Sequence, residues 1–452
     1  MKTEAFDLLV LGAGSGARDG AQRAAREHEA KVALVESTRW GGSCPNVACK
    51  PTKAYIVAAD LLRDINELAV KIGIDVGPAR ADLARIKARK DELVGTQKAW
   101  VDRLEEAGYT TVEGVASFEA PGTVRVGERL LTADRVLIAT GSRTAMPPIE
   151  GLEGIDWLDH VSALELTEVP ESLLVLGGGP VGLELGQAFA RFGARVTIVE
   201  GMSQIAARFD RDAADELAAS LEGEGIELVC GVHVSKVGRD GAGIVASLDG
   251  DERELRAERI LLAAGRSPNV EQLLLERVGV EQTEAGVSVD DRMRTTAKGI
   301  WAVGDVTGIA QFTPIAQYQA RIAVSDMFGG HGARADYSIL PTAIFTDPEV
   351  AGVGLSETDA REQGLQVATV AQPVSSTQRA KYLELEHGLY KIVYERESRR
   401  VLGVHVVCRG ASDIVQGLGV AIQLGARVDD LAKAHHAFPT FAEGLKAAAE
   451  QA

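Results

Sequence analysis

Two glycine clusters sit far apart in this chain and have the same neighbours. Gly12-Ala13-Gly14-Ser15-Gly16-Ala17 follows the apolar run Phe6-Asp7-Leu8-Leu9-Val10-Leu11 and opens a helical stretch to about Glu29. Lys31-Val32-Ala33-Leu34-Val35-Glu36 then reads as a second strand that ends in an acid. Gly177-Gly178-Gly179-Pro180-Val181-Gly182 likewise follows Leu173-Leu174-Val175-Leu176 and leads through a helix to Val196-Thr197-Ile198-Val199-Glu200. Short, continuous apolar runs suit strands buried on both faces of a parallel sheet. The pattern G-x-G-x-x-G/A between strand and helix has a physical use. Gly12 and Gly177 permit the tight turn, Gly14 and Gly179 let a pyrophosphate approach the backbone, and Ala17 and Gly182 let the helix pack on the strand. Glu36 and Glu200 are then placed to accept hydrogen bonds from ribose hydroxyls.

The duplication is a sharper signal than either copy, and it commits the chain to an α/β fold with two Rossmann-like dinucleotide-binding domains. At the second, Glu200 would bind a 2′-hydroxyl and repel a 2′-phosphate, so NADH is expected there over NADPH. Between the two lies Gly41-Gly42-Ser43-Cys44-Pro45-Asn46-Val47-Ala48-Cys49-Lys50-Pro51-Thr52-Lys53. Residues 43–71 read as one helix with both thiols near its start, where the helix dipole and two lysines favour thiolate. Within a single helix the pair could form a disulfide only with local distortion. Inert cysteines, or half of a zinc site, are the alternatives, but no second Cys/His pair has ligand spacing and no metal site is expected. A redox dithiol facing a flavin at the first fingerprint is the reading that uses every element.

The rest of the chain bounds this reading. Its 452 residues suggest about three domains of roughly 150 residues each. The net charge of −17 argues against nucleic acid or an anionic membrane as partner. No apolar run of membrane-spanning length occurs, and Met1-Lys2-Thr3-Glu4 leads straight into a strand, so a cytoplasmic protein is expected. Cys230 and Cys408 complete a set of 4 cysteines, too few for a disulfide scaffold. Residues 81–107 read as one amphipathic helix, and 111–114, 123–126 and 135–138 as short antiparallel strands. The last runs into Ala139-Thr140-Gly141, small residues suited to close cofactor approach. Leu261 to Asn269 ends another strand run at Gly265, and Ile300-Trp301-Ala302-Val303-Gly304-Asp305 ends in an aspartate suited to a ribitol hydroxyl. The expected division is 1–146 and 269–336 for the FAD-binding region, 147–268 for the NAD(P)H-binding domain, and 337–452 for a separate α+β domain.

In this order the motifs resemble the class I pyridine nucleotide–disulfide oxidoreductases, which include lipoamide dehydrogenase, glutathione reductase and mercuric reductase. The likeness spans essentially the whole chain, and Phe345-Thr346-Asp347-Pro348-Glu349-Val350 resembles the start of that family's dimerisation domain. The resemblance implies FAD and NADH as cofactors, and a homodimer whose acceptor site is shared between subunits. It implies that Cys49 lies against the flavin and Cys44 is the outer thiol. Lys53, near flavin N5, would pair with Glu184, and Gly42 and Gly265 would join the cofactor-binding residues. NADH would reduce FAD, FAD the Cys44–Cys49 disulfide, and Cys44 would attack or ligate an acceptor that Cys49 then resolves. Gly201 and Ala207 stand where NADPH-using relatives carry arginines, although Arg208 adjoins the second.

The chain departs from the family at one place. Disulfide reductases end in His-Pro-Thr-x-x-x-Glu or a close variant, the histidine being the acid–base catalyst. Here Phe438 precedes Pro439-Thr440, while Glu443 remains as the expected acid. A phenyl ring moves no proton, and such catalysis is worth about 10²–10⁴-fold. Mercuric reductases also lack that histidine, and their ending resembles Phe441-Ala442-Glu443-Gly444-Leu445-Lys446-Ala447-Ala448, although the C-terminal cysteine pair of those enzymes is absent. The expectation is a mercuric-reductase-like enzyme acting on a soft metal or other non-standard acceptor. Two alternatives are a dihydrolipoamide dehydrogenase or small-disulfide reductase with His435 or His436 as a displaced base, and a flavin- and NADH-binding redox sensor.

Overall fold

The computed structural model describes residues 2–241, 243–330 and 332–452. They form two compact units. The first comprises Met1–Pro51, Lys90–Ala145 and Gly265–Asp336, and the second Thr52–Arg89, Met146–Ala264 and Tyr337–Ala452.

The first unit is built on five parallel strands in the order Ile300–Ala302, Val136–Ile138, Leu8–Leu11, Val32–Glu36, Thr110–Glu113. Leu8 and Val10 face one side of this sheet and join a core with Ala17, Ala21 and Ala24 of the helix Ser15–His28, and with Ala320 and Ala323 of the helix Thr313–Met327. The small residues on that helix face let it lie close to the sheet; a Cβ at Gly20 would fall 2.8 Å from Leu137 Cδ2. Leu9 and Leu11 face the other side and pack with Val124, Val126 and Leu131 of a four-stranded sheet. The alternation follows from the two-residue period of a strand.

The second unit repeats the plan. Four parallel strands run in the order Glu227–Cys230, Arg195–Glu200, Ser172–Leu176, Arg259–Leu262, with the helix Pro180–Phe192 against them and an antiparallel sheet of Val234–Asp240, Gly243–Leu248 and Asp251–Ala257. Residues 342–408 supply a five-stranded antiparallel sheet in the order Thr342–Ile344, Glu349–Gly354, Val401–Cys408, Leu389–Glu395, Val367–Pro373. No helix among the described residues is long and apolar enough to cross a membrane.

Three local expectations need correction. Residues 81–107 form two helices, Leu83–Val94 and Gln97–Glu106. Gly95, at φ +79°, ends the first, and Thr96 Oγ1 accepts from Ala99 N at 3.3 Å to start the second. Of the three strands expected to be antiparallel, only Thr123–Val126 is; 110–113 and 136–138 are parallel members of the central sheet. The third correction concerns the cysteine segment.

Candidate active site

The two glycine turns have nearly the same backbone. Gly12 has φ +113° and Gly177 φ +115°. A Cβ at Gly12 would lie 2.3 Å from Ala139 O, and one at Gly177 2.4 Å from Ala263 O. A side chain is therefore excluded at both by strain and by contact. A Cβ at Gly14 or Gly179 would meet nothing within 4 Å, so space is open ahead of each helix N-terminus. Neither helix has a side-chain N-cap, which leaves its first backbone N–H groups to an anionic ligand. Glu36 Oε2 accepts from Ala13 N at 2.9 Å, and Glu200 Oε2 from Gly178 N at 2.6 Å. Each strand-end acid thus braces its own glycine turn. Both turns fit a dinucleotide.

The cysteine segment is not one helix. Ser43–Asn46 forms a single turn capped by Gly42, at φ 76°, and a second helix, Cys49–Arg63, begins after Val47 and Ala48. Asn46 causes the break. Its Nδ2 donates to Trp40 O at 3.0 Å and Gly42 O at 2.7 Å, and its Oδ1 accepts from Gln97 Nε2 at 3.0 Å. An asparagine that turns back to the preceding carbonyls competes with helix continuation. Cys44 therefore sits on the short turn and Cys49 at the head of the long helix, so the fixed spacing of one helix does not hold the thiols apart. Both are half-buried, and Cys49 Sγ is 3.8 Å from Thr313 Oγ1. A Cβ at Gly42 would lie 2.4 Å from Gly14 Cα, which sets the cysteine turn against the first glycine turn. Cys408, in contrast, is fully buried, and burial raises its thiol far above the ordinary value.

Lys53 lies one helical turn beyond Cys49. Its Nζ pairs with Glu184 Oε2 at 2.6 Å and stands 4.3 Å from the Phe345 ring centroid. Glu184 is 5% exposed, and its other oxygen accepts from Phe345 N at 3.0 Å. One buried carboxylate thus holds both the lysine and the start of the C-terminal region.

In the first unit, Ala139-Thr140-Gly141 is fastened to Asn269. Thr140 Oγ1 donates to Asn269 O at 2.7 Å, and Asn269 Nδ2 to Thr140 O at 3.0 Å. Asp305 Oδ2 accepts from Ser142 Oγ at 2.6 Å, and Arg266 Nε donates to the same hydroxyl at 2.7 Å. Among the described residues nothing donates to Asp305 Oδ1, which suits it to a ligand hydroxyl. Gly265, at φ +134°, joins the ribbon in which Arg266–Pro268 pairs with Ser142–Thr144. Ser142 and Arg266 escape a reading by motif, since their only signal is the short Gly-Arg-Ser-Pro-Asn run after a strand.

At the C-terminal end, Phe438 is 72% exposed. Glu443 Oε1 accepts from Gln378 N at 3.3 Å, at the start of the helix Gln378–Tyr382. His435 is exposed, and His436 Nδ1 is buried with no hydrogen-bond partner among the described residues.

The chain builds the same strand–glycine turn–helix unit twice, with the cysteine turn against the first. Residues 6–320 match the family model for pyridine nucleotide-disulphide oxidoreductases, and 340–449 match that family's dimerisation domain. The chain belongs to this family, and is an NAD(P)H-dependent flavoprotein oxidoreductase. It is 36% identical over 452 residues to a mercuric reductase of Staphylococcus aureus, covering 98% of this chain and 82% of that one. It is 35% identical to a dihydrolipoyl dehydrogenase of Haloferax volcanii, covering 99% and 96%. Among solved structures it resembles a Cu(II) complex of the HOCl-induced flavoprotein disulfide reductase RclA from Escherichia coli. The TM-score is 0.89 and the identity 28%, covering 99% of each chain.

Proposed function

We propose that this enzyme takes electrons from NADH and passes them, through the Cys44–Cys49 pair, to a soft metal ion or another acceptor that needs no proton relay. Bound FAD would supply the two-electron exchange between the nicotinamide and the sulfurs. Gly12, Gly14, Ala17, Gly42 and the 139–141 turn would hold it, with Glu36 and Asp305 at its hydroxyls. Gly177, Gly179, Gly182 and Glu200 would hold NADH, and Glu200 selects against a 2′-phosphate. Segments 1–146 and 269–336 would then serve the flavin, 147–268 the NADH, and 337–452 the dimer contact. Lys53 supplies a positive charge one turn from Cys49, and Glu184 fixes where that charge stands.

Cys44 and Cys49 bind the acceptor as thiolates. Two thiolates lose one electron pair and form one S–S bond, reducing one Hg(II) by two electrons or two Cu(II) by one electron each. No proton has to be delivered to a leaving thiol. What supports this reading is Phe438 standing where the resemblance calls for the acid–base histidine, together with Glu443 accepting from the Gln378 backbone N–H. His436 Nδ1 has no hydrogen-bond partner among the described residues, which speaks against it as the displaced base. The mercuric reductase relative and the copper-bound RclA structure support a soft-metal acceptor. The family's dimerisation domain, together with exposed Phe438, Val420 and Leu424, supports a homodimer with a shared acceptor site.

The test is an acceptor screen with NADH and NADPH on the flavin-loaded protein, covering Hg(II), Cu(II), quinones, lipoamide and glutathione disulfide. Metal-dependent NADH oxidation that disappears in Cys44→Ser is expected. Fast lipoamide or glutathione disulfide turnover without metal activity would overturn the reading.

A further inference from the structure

Arg18 lies in the first turns of the first fingerprint helix, where the second copy carries the fully buried Leu183. Its guanidinium lies over the Trp100 ring, 4.6 Å from the centroid, and Arg103 lies 5.5 Å from the same ring. That ring is pressed against the cysteine loop. Gly41, three residues before Cys44, has φ +92°, and a Cβ there would lie 2.6 Å from Trp100 Cε2. The next turn of backbone contact is Gly42 on Gly14. Arg18 and Cys44 are therefore held by neighbouring pieces of backbone, with Trp100 as the shared wall.

Arg18 also lacks an ordinary counter-charge. No carboxylate among the described residues pairs with it, whereas Arg23 on the same helix pairs with both Asp19 and Glu27. Among the described residues its single side-chain bond is a long one, Nη2 to Ser15 Oγ at 3.4 Å, and its Nε is buried without a partner. Burial lowers its ionisation from the ordinary guanidinium range, and the Cys44 sulfur acts in the opposite sense. A guanidinium desolvated without a carboxylate is a standing demand for an anion.

We infer that Arg18, fixed on Trp100, makes the surroundings of Cys44 electropositive and selects acceptors that carry an anionic group beside the reacting sulfur or metal. This rests on Cys44 being the thiol that meets the acceptor. The selected class comprises soft-metal complexes of carboxylate-bearing thiols and activated carboxylate-bearing disulfides whose leaving thiolates need no proton. Neutral acceptors of equal intrinsic reactivity would be disfavoured.

The test compares two activated disulfides, the dianion 5,5′-dithiobis(2-nitrobenzoate) and neutral 4,4′-dithiodipyridine. Both release stabilised thiolates and need no proton relay. In each reaction Cys44 Sγ bonds to one reagent sulfur, the reagent S–S bond breaks, and the other half leaves as a thiolate with the electron pair. Second-order constants are measured by stopped flow on the flavin-loaded, two-electron-reduced protein. A change in the thiol's own ionisation moves both constants together, so their ratio isolates charge selection. In Arg18→Met the dianion-to-neutral ratio should fall about tenfold, Arg18→Lys should keep part of it, and 300 mM salt should flatten the wild-type ratio towards that of Arg18→Met. A ratio within twofold of wild type in Arg18→Met, while Cys44→Ser loses both reactions, overturns this inference alone. Undiminished reaction in Cys44→Ser overturns the role of Cys44 and this inference with it. Loss of FAD affinity in Arg18→Met with the ratio intact also overturns it, and assigns the guanidinium to the pyrophosphate instead.

Discussion

The two nucleotide cradles share a backbone but differ in what surrounds it. In each, the first glycine has a φ near +114° and stands against a carbonyl oxygen of the neighbouring strand end. In each, the strand-end glutamate bonds the turn it faces. The differences begin one residue away. Glu36 accepts five hydrogen bonds, from Ala13 N, Ser37 N, Thr38 N, Thr38 Oγ1 and Arg39 N. Glu200 accepts two, from Gly178 N and Met202 N. The third position holds Ala17 in the first copy. In the second it holds Gly182, where a Cβ would fall 1.9 Å from Gly177 O. The residue two further on is Asp19 in the first copy, paired to Arg23 on its own helix, and Glu184 in the second, buried against Lys53. A duplicated motif thus preserves the geometry of the turn, while its flanks differ, a helix-surface pair at Asp19 in the first copy and a buried pair at Glu184 in the second; that fits the proposed reading of a resident flavin at the first and an exchanging nucleotide at the second.

This contrast can be tested by paired substitutions. The largest effect is expected where the copies agree. Gly12→Ala and Gly177→Ala each impose backbone strain on the order of 3 kcal/mol. The first should empty the protein of flavin, measured by absorbance. The second should abolish NADH binding in a protein that stays yellow. If either variant binds its nucleotide normally, the shared-cradle view fails.

Next comes the contrast between Glu184 and Asp19. Glu184→Gln leaves the half-buried Lys53 ammonium without its anion, which should destabilise by about 3 kcal/mol. It should also change the reduction potential of the bound flavin. Asp19→Asn removes a helix-surface pair worth about 0.5 kcal/mol and should leave the potential unchanged. Equal effects in denaturant melts and potentiometry would erase the distinction.

At the third position, Gly182→Ala should cost about 2 kcal/mol through overpacking against Gly177 O and raise the KM for NADH. Ala17→Gly should cost somewhat less, about 1.7 kcal/mol, from helix propensity and one buried methyl, with flavin retained. The smallest and most selective pair is Glu36→Ala against Glu200→Ala. If Glu200 holds the ribose as proposed, Glu200→Ala should lose charged hydrogen bonds worth about 1.5 kcal/mol, roughly tenfold in NADH affinity, and bring NADH and NADPH closer together as donors. Glu36→Ala should lower Tm and flavin occupancy together, because its carboxylate organises the 37–39 loop.

The fold class was readable from the glycine turns, apolar strands and terminal acids, since each is a local pattern. Pairing was not. Residues 110–113 and 136–138 look like their antiparallel neighbours in composition, and only their placement beside 32–36 and 8–11 makes them parallel. The end of the helix at Gly95 and the restart at Thr96 were legible signals that the amphipathic pattern around them obscured. At the site, Cys44 and Cys49 stand out by spacing, but the break between them depends on Asn46 reaching Trp40 O and Gly42 O. The support of Asp305 by Ser142 and Arg266 has no signature within a short window. Glu443 is visible as the acid of an ending motif, while its bond to the Gln378 backbone is not.

What the sequence by itself determined is the pair of cradles, because a positive φ and a missing Cβ are properties of single residues at fixed offsets from a strand. Phe438-Pro439-Thr440, where the family resemblance leads one to expect His-Pro-Thr, is read from the sequence too, being a matter of side-chain chemistry. Tertiary structure alone decided that Lys53 meets Glu184 and Phe345, and that Trp100 holds Arg18 by the cysteine turn. These contacts join segments far apart in the chain, and their energies arise from desolvation and charge, which exist only once the segments are packed.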